Sequence, residues 1–210
     1  MHLRLIRHGE TVANMEGRMQ GQSDFPLSPE GKKQAQLLAK WLSADQIDAI
    51  YSSDLSRAYE TALAIARYHD LSVQTREDLR EIKLGRFEKL TPAEIKQKYP
   101  AYYQADLLSC GLDDVEQAEQ VYQRALRVVE DLLARHFGER VVVVSHGTFI
   151  GCLLMALLNI KWPGKRIFAV GNTSMTTIDF RSSRQFMILG VNEQPHLQLE
   201  AGQIQKLGAG

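Results

Sequence analysis

Leu3-Arg4-Leu5-Ile6 runs straight into Arg7-His8-Gly9-Glu10, and Val141-Val142-Val143-Val144-Ser145 runs straight into His146-Gly147. These two stretches decide the fold. Each begins as a short apolar run that reads as a strand, and each ends in a histidine followed by glycine. Open α/β sheets bind their ligands in the crevice outside the carboxyl ends of the strands. Two histidines leaving two neighbouring strands in the same way therefore predict one shared site, and Arg7 beside them suits it to phosphate.

Outward from these runs, a polar loop with several glycines covers Gly9 to Leu27. Ser28-Pro29-Glu30 then supplies an N-cap, a first-turn proline and a first-turn acid. The helix that follows runs to about Ser43, with Leu37, Leu38, Trp41 and Leu42 as its apolar stripe. A strand over Asp48–Ser52 and a helix from Asp54 or Leu55 come next. A weaker strand is predicted at Ser72–Thr75, a turn-rich loop at Asp78–Lys89 and a short helix at Pro92–Lys98.

Tyr99 to Asp114 shows no period and contains three tyrosines, so residues 99–114 are the expected lid or pocket wall. Val115 to Phe137 has apolar residues at helical spacing and a stop at Gly138. Phe149 to Leu158 reads as a buried helix. Met175–Phe180 and Gln185–Val191 form an antiparallel hairpin at a sheet edge, and Ala201 to Gly210 is a loosely held tail. The alternation predicts an α/β fold over residues 1–210 as a single domain. Its form is a three-layer α/β/α sandwich with a mostly parallel central sheet and an antiparallel edge hairpin.

Lys plus Arg and Asp plus Glu number 25 each among 210 residues. Such balance lacks the broad positive field that attracts nucleic acid or an acidic membrane, so any anion affinity is local. Cys110 and Cys152 form no C-x-x-C or disulfide framework and read as inert thiols. The first residues enter a strand without a signal-peptide pattern, and the Phe149 segment falls short of the roughly 20 residues that span a bilayer. The expectation is a cytoplasmic protein without nucleic-acid or membrane partners. Its edge hairpin leaves a homodimer open.

A phosphate monoester is a dianion that repels nucleophiles until its charge is neutralised. Arg7 and Arg57 suit that task, because a guanidinium stays charged and offers a planar fork of donors. Arg57 also stands in the first turn of its helix, where backbone N–H groups are expected to help hold an anion. His8 can attack phosphorus through one ring nitrogen if the other donates to a main-chain carbonyl. His146 and the Gly147 amide can stabilise the transferring oxygens. Glu81 is the acid best placed to protonate the leaving alkoxide, although as a bare carboxylate it could equally pair with Arg76 or Arg80. The chemistry calls for no metal and no cofactor. Met15 and Met19 read as core packing, Glu88 as structural, and His2, His69, His136 and His196 as packing or solvent-facing residues.

Arg7-His8-Gly9-Glu10-Thr11, Asn14, Gln20-Gly21, Asp24, Pro26-Leu27-Ser28, Gly31, Ser52 to Ala58, Leu79-Arg80-Glu81, Gly85 and Val144-Ser145-His146-Gly147 together resemble the histidine phosphatase superfamily, also called phosphoglycerate mutase-like. The resemblance runs from residue 3 to about residue 190. It implies a phosphohistidine on His8, a phosphate pocket of Arg7, Arg57 and His146, and Glu81 as proton donor. It further implies phosphate contacts from Asn14 and the Gly147 amide, with Gln20 and Gly21 at the pocket edge.

The family contains mutases as well as phosphatases. Arg80-Glu81-Ile82-Lys83-Leu84-Gly85 lacks the longer mutase signature and its basic insert, so the chain looks like the short bacterial phosphatases. The expected function is metal-independent hydrolysis of a small phosphorylated metabolite. A cofactor-dependent phosphoglycerate mutase is the alternative, and a non-catalytic phospholigand-binding protein the third reading. Phe87-Glu88-Lys89 stands where many of those phosphatases have Trp-Glu-Gly, which strains Lys89 if that position needs a positive φ. Between Tyr99 and Gln120 there are five acids and no base, so the lid is expected to repel a substrate with a second phosphate.

Overall fold

The computed structural model describes residues 1–182 and 185–198. Six strands form one sheet: β1 (His2–Arg7), β2 (Ala49–Ser53), β3 (Val73–Arg76), β4 (Arg140–Ser145), β5 (Met175–Phe180) and β6 (Phe186–Glu193). Their spatial order is β3-β2-β4-β1-β5-β6. The first four are mutually parallel, β5 runs antiparallel to β1, and β6 antiparallel to β5. The predicted mostly parallel sheet with an antiparallel edge hairpin is therefore present. The predicted tail, Ala201 to Gly210, lies outside the described residues.

Seven helices accompany the strands among the described residues: α1 (Val12–Met15), α2 (Pro29–Leu42), α3 (Ser56–Ala66), α4 (Pro92–Lys98), α5 (Ala118–Arg135), α6 (Gly147–Leu157) and α7 (Pro195–Gln198). Successive side chains of a strand point to opposite faces, and both faces of this sheet are covered. Leu3, Leu5, Val141 and Val143 join Val129, Leu132, Phe149 and Leu153 in the core beneath α5 and α6. Ile6, Ile50, Val142 and Val144 join Leu38, Leu42, Ala62 and Ile65 beneath α2 and α3. This double burial explains why β4 is an unbroken valine run.

Ser28 caps α2 as expected: its Oγ accepts from the Gly31 N–H at 2.9 Å and donates to Glu10 Oε1 at 2.7 Å. The loop after β1 then packs so tightly on α2 that a Cβ built on Gly31 would lie 1.9 Å from the Glu10 carbonyl oxygen. The long helix begins at Ala118, not Val115. Gln117 is its N-cap, with the Gln120 side chain accepting from the Gln117 N–H at 2.8 Å. The apolar period reads on into Val115 because that residue is buried in the turn before the helix. No helix among the described residues is long and apolar enough to cross a membrane.

Candidate active site

The register of β1 on β4 sets the site. Arg7 lies opposite Ser145, so the next residue of each strand, His8 and His146, must emerge side by side. The His8 N–H donates to the Ser145 carbonyl at 3.0 Å, and the two imidazole centroids stand 5.1 Å apart. Both rings are buried, at 3% and 0% exposure. His8 Nδ1 lies 2.7 Å from the Gly9 carbonyl, an acceptor that fixes the proton on Nδ1 and leaves Nε2 as the lone-pair nitrogen. Neither nitrogen of His146 has a hydrogen-bond partner.

Arg57 is fully buried in the first turn of α3. Its Nη1 and Nη2 donate to the Ser23 and Gly21 carbonyls at 2.9 and 2.8 Å, and its Nε has no partner. Arg7 anchors through Nη1 on the Val170 carbonyl at 2.7 Å and likewise leaves Nε unpartnered. A Cβ on Gly147 would come within 3.3 Å of that Nε, so glycine here lets the guanidinium lie against the start of α6. Buried donors without acceptors cost free energy. The Nε of each arginine is such a donor, and a neutral His146 has one more on its ring; among the described residues none of the three has an acceptor, which an anion beside His8 would supply.

Charge follows from this burial. Desolvation, with Arg57 and Arg7 nearby, pushes the His8 imidazole well below 6.5. Burial with Arg57 and His8 does the same to His146, and desolvation lowers Arg57 to about 10. Both histidines are therefore neutral at pH 7, while both arginines stay charged. A proton that the unfolded chain accepts near pH 6.5 is refused by the folded one, so stability is full above about pH 6.5 and falls as pH drops below it. Thermal melts from pH 7.5 to 5 are expected to show this decline. His8→Ala should flatten it by up to about 1.4 kcal/mol per pH unit; identical slopes in the two proteins would refute the assignment.

Glu81 reaches the same hollow from the turn after β3. Its Oε1 accepts from the Ile82 and Phe149 N–H groups at 3.0 and 2.9 Å, and its Oε2 from Thr148 N–H at 3.0 Å. It pairs with neither Arg80, which binds Asp54, nor Arg76, which binds Asp78 and Asp131. The turn itself is braced from two sides: Ser145 Oγ donates to the Leu79 carbonyl at 2.8 Å, and Arg124 of α5 to the Asp78 and Arg80 carbonyls. Of the backbone donors expected at the start of α3, Ser56 N–H is taken by the Asp24 carboxylate, which also accepts from Ser56 Oγ.

Arg7, His8, Asn14, Gln20, Gly21, Arg57 and Glu81 all line one pocket of about 450 Å³. Asn14 Oδ1 is taken by Thr11 N–H and Oγ1 and by Asn172 Nδ2, which leaves its Nδ2 as the end available to a ligand. Gln20 Oε1 is buried and unpartnered. Among the described residues no cluster of His, Cys, Asp and Glu is arranged to hold a metal ion.

The sequence matches the family model of the histidine phosphatase superfamily (branch 1) over residues 3–194. The chain belongs to that superfamily. It is 36% identical to phosphoserine phosphatase 1 of Hydrogenobacter thermophilus across 92% of each chain. It is 32% identical to the probable phosphoglycerate mutase GpmB of Yersinia enterocolitica, covering 94% of this chain and 95% of that one. Among solved structures, Bacillus stearothermophilus YhfR superimposes with a TM-score of 0.86 at 35% identity, covering 93% of this chain and 98% of that one.

Against the superfamily pattern, Lys89 in place of glycine sits at φ 68°. That left-handed conformation costs an L-residue about 1–2 kcal/mol. It persists because the Lys89 N–H donates to the Met19 carbonyl at 2.7 Å and Arg18 donates to the Lys89 carbonyl at 2.9 Å. Lys89→Gly is expected to raise stability by about 0.5–1 kcal/mol in urea unfolding, after the greater entropy of unfolded glycine is subtracted. A loss of stability would mean that the side chain itself anchors the turn. Glu88 next to it is a clamp, accepting from Gln22 N–H, Leu84 N–H and Ser23 Oγ.

The five acids between Tyr99 and Gln120, expected to charge the lid at residues 99–114, do not form one wall. Asp114 pairs with Arg86 and Glu116 with Arg124. Only Asp106 of the five acids reaches the pocket, where it accepts from Trp162 Nε1 at 2.6 Å and Leu108 N–H at 3.2 Å. The expected repulsion of a second phosphate therefore rests on Asp106 alone, not on a wall of five acids. Tyr102 and Tyr103 do line the pocket, whereas Tyr99 packs edge-on against the Phe87 ring. Met19 lines the pocket and packs on the core, but Met15 is 67% exposed, contrary to its reading as a core residue. Cys152 is buried, and desolvation pushes its thiol up to about 12.

Sequence reasoning missed Asn172, Thr148, Trp162, Arg18 and Arg166. Asn172 donates to the His8 carbonyl at 3.1 Å, and the other four line the pocket. Trp162 and Arg166 lie in a stretch without hydrophobic period, so only its run of basic residues could have drawn attention to them.

Proposed function

We propose that this protein hydrolyses small phosphate monoesters through a phosphohistidine on His8. The observation that carries the reading is that Arg7 Nε, Arg57 Nε and the His146 ring are buried without partners among the described residues, beside a neutral His8 whose Nδ1 is held by a carbonyl. The match to the superfamily and the relatives named as phosphatases support it.

In the first step the lone pair of His8 Nε2 attacks phosphorus, the N–P bond forms and the ester O–P bond breaks. Arg7, Arg57 and His146 hold the three non-bridging oxygens and their developing charge. Glu81, in its protonated form, gives its proton to the departing alkoxide. In the second step Glu81, now a carboxylate, takes a proton from water as the water oxygen attacks phosphorus. The N–P bond breaks, orthophosphate leaves, and His8 recovers its lone pair. The residues that carry these steps, like the open Asn14 amide and the Gly147 backbone at the head of α6, are proposed contacts of the phosphoryl group.

Phosphate release from a panel of phosphorylated metabolites, with and without chelator, tests the reading. Release that survives chelation is expected. Interconversion of 3- and 2-phosphoglycerate without release would favour a mutase. Tight phosphate binding without turnover of any ester would favour a binding protein.

A further inference from the structure

The inner half of the pocket is accounted for by the phosphoryl group, and the outer half faces whatever that group leaves behind. Besides the phenols of Tyr102 and Tyr103, the titratable side chains lining the pocket beyond the proposed phosphoryl contacts are Arg18, Asp106 and Arg166. Arg18 is neutralised by Glu16 and Glu94, and Asp106 is bound by Trp162 and the Leu108 N–H. Arg166 is exposed and makes no ion pair or hydrogen bond among the described residues. It belongs to the segment Lys161-Trp162-Pro163-Gly164-Lys165-Arg166, and no Asp or Glu occurs between Thr148 and Ile178. Trp162 fastens this segment to the lid through Asp106, which holds the basic run at the pocket wall.

On the reading of this site as a phosphatase, we infer that Arg166 receives an anionic group, a carboxylate or a second phosphate, on the leaving portion of the substrate. A cation on a pocket wall that makes no ion pair among the described residues gains from an anionic ligand placed beside it. The same field disfavours a leaving group that carries only an ammonium. Arg166 is thus a specificity residue, acting on the group that departs.

Two matched pairs of substrates test this. O-phosphoserine and phosphoethanolamine differ only by the carboxylate, and fructose 1,6-bisphosphate and fructose 6-phosphate only by the second phosphate. In the wild type, kcat/KM is expected to favour the anionic member of at least one pair by about tenfold, mostly through KM, and the pair that shows it identifies the group. Arg166→Gln should bring that ratio close to one, and Arg166→Lys should restore part of it. Ratios within one protein are insensitive to the folded fraction. Equal rates within both wild-type pairs, or a ratio that Arg166→Gln leaves intact, overturn the assignment while the phosphatase reading stands. No phosphate release from any of the four esters overturns both.

Discussion

His8→Ala is expected to lower phosphate release from every ester by about 10⁴-fold or more, because it removes the protein atom that bonds to phosphorus in the proposed pathway. The fold should survive. His8 directly follows β1; its N–H donates to the Ser145 carbonyl and its carbonyl accepts from Thr173 N–H and Asn172 Nδ2, so the bonds that hold its backbone use no imidazole atom. Rapid acid or alkali quenching of the wild type with a radiolabelled ester should give protein-bound label that is lost in acid and kept in alkali. The variant should give none. Residual turnover within tenfold of the wild type would show that water attacks the ester directly and that the imidazole only positions it. Tight vanadate or phosphate binding by the inactive variant would show that the arginines still collect the anion.

Glu81→Gln is expected to lower kcat for alkyl phosphates by about 10²–10⁴-fold, the usual worth of a positioned general acid. The substitution also disturbs the anchor. One carboxylate oxygen that now accepts a main-chain N–H from Thr148, or from Ile82 and Phe149, becomes an NH₂ facing a donor. Displacement of the turn would slow every substrate alike. Loss of the proton donor slows only esters whose alkoxide cannot leave unaided, so p-nitrophenyl phosphate, with a stable leaving anion, should lose far less in the formation of the phosphohistidine. Equal loss on alkyl and nitrophenyl esters in single-turnover measurements would remove Glu81 from the acid role and leave it as a structural tie between the turn and α6.

Both predictions concern residues that stand out in the sequence because they sit at junctions. Four consecutive valines followed by Ser145-His146-Gly147 can only be a buried strand that ends abruptly, and Ser28-Pro29-Glu30 signals the start of α2 from its own chemistry. Local rules were weaker where two influences overlapped. Val115 continues the helical period of α5 because the turn before the helix is buried on the same face, and only the Gln117 cap shows where the helix begins. Charge was misread in the lid for a different reason. Asp114 and Glu116 are acids in a row along the chain, yet Arg86 and Arg124, far from them in sequence, cancel them in space.

By itself the sequence determined the order of the strands and of the helices α2 to α6, the two histidine exits and the family, since these depend on residue type and short-range spacing. Only the tertiary structure decided that Arg7 lies opposite Ser145, that Asp24 binds Ser56 at the start of α3, that α6 receives Glu81, and that Arg166 makes no ion pair among the described residues. Each of these is a meeting of segments tens of residues apart, set by strand register and by side chains reaching across the fold. No periodicity within a single segment carries that information.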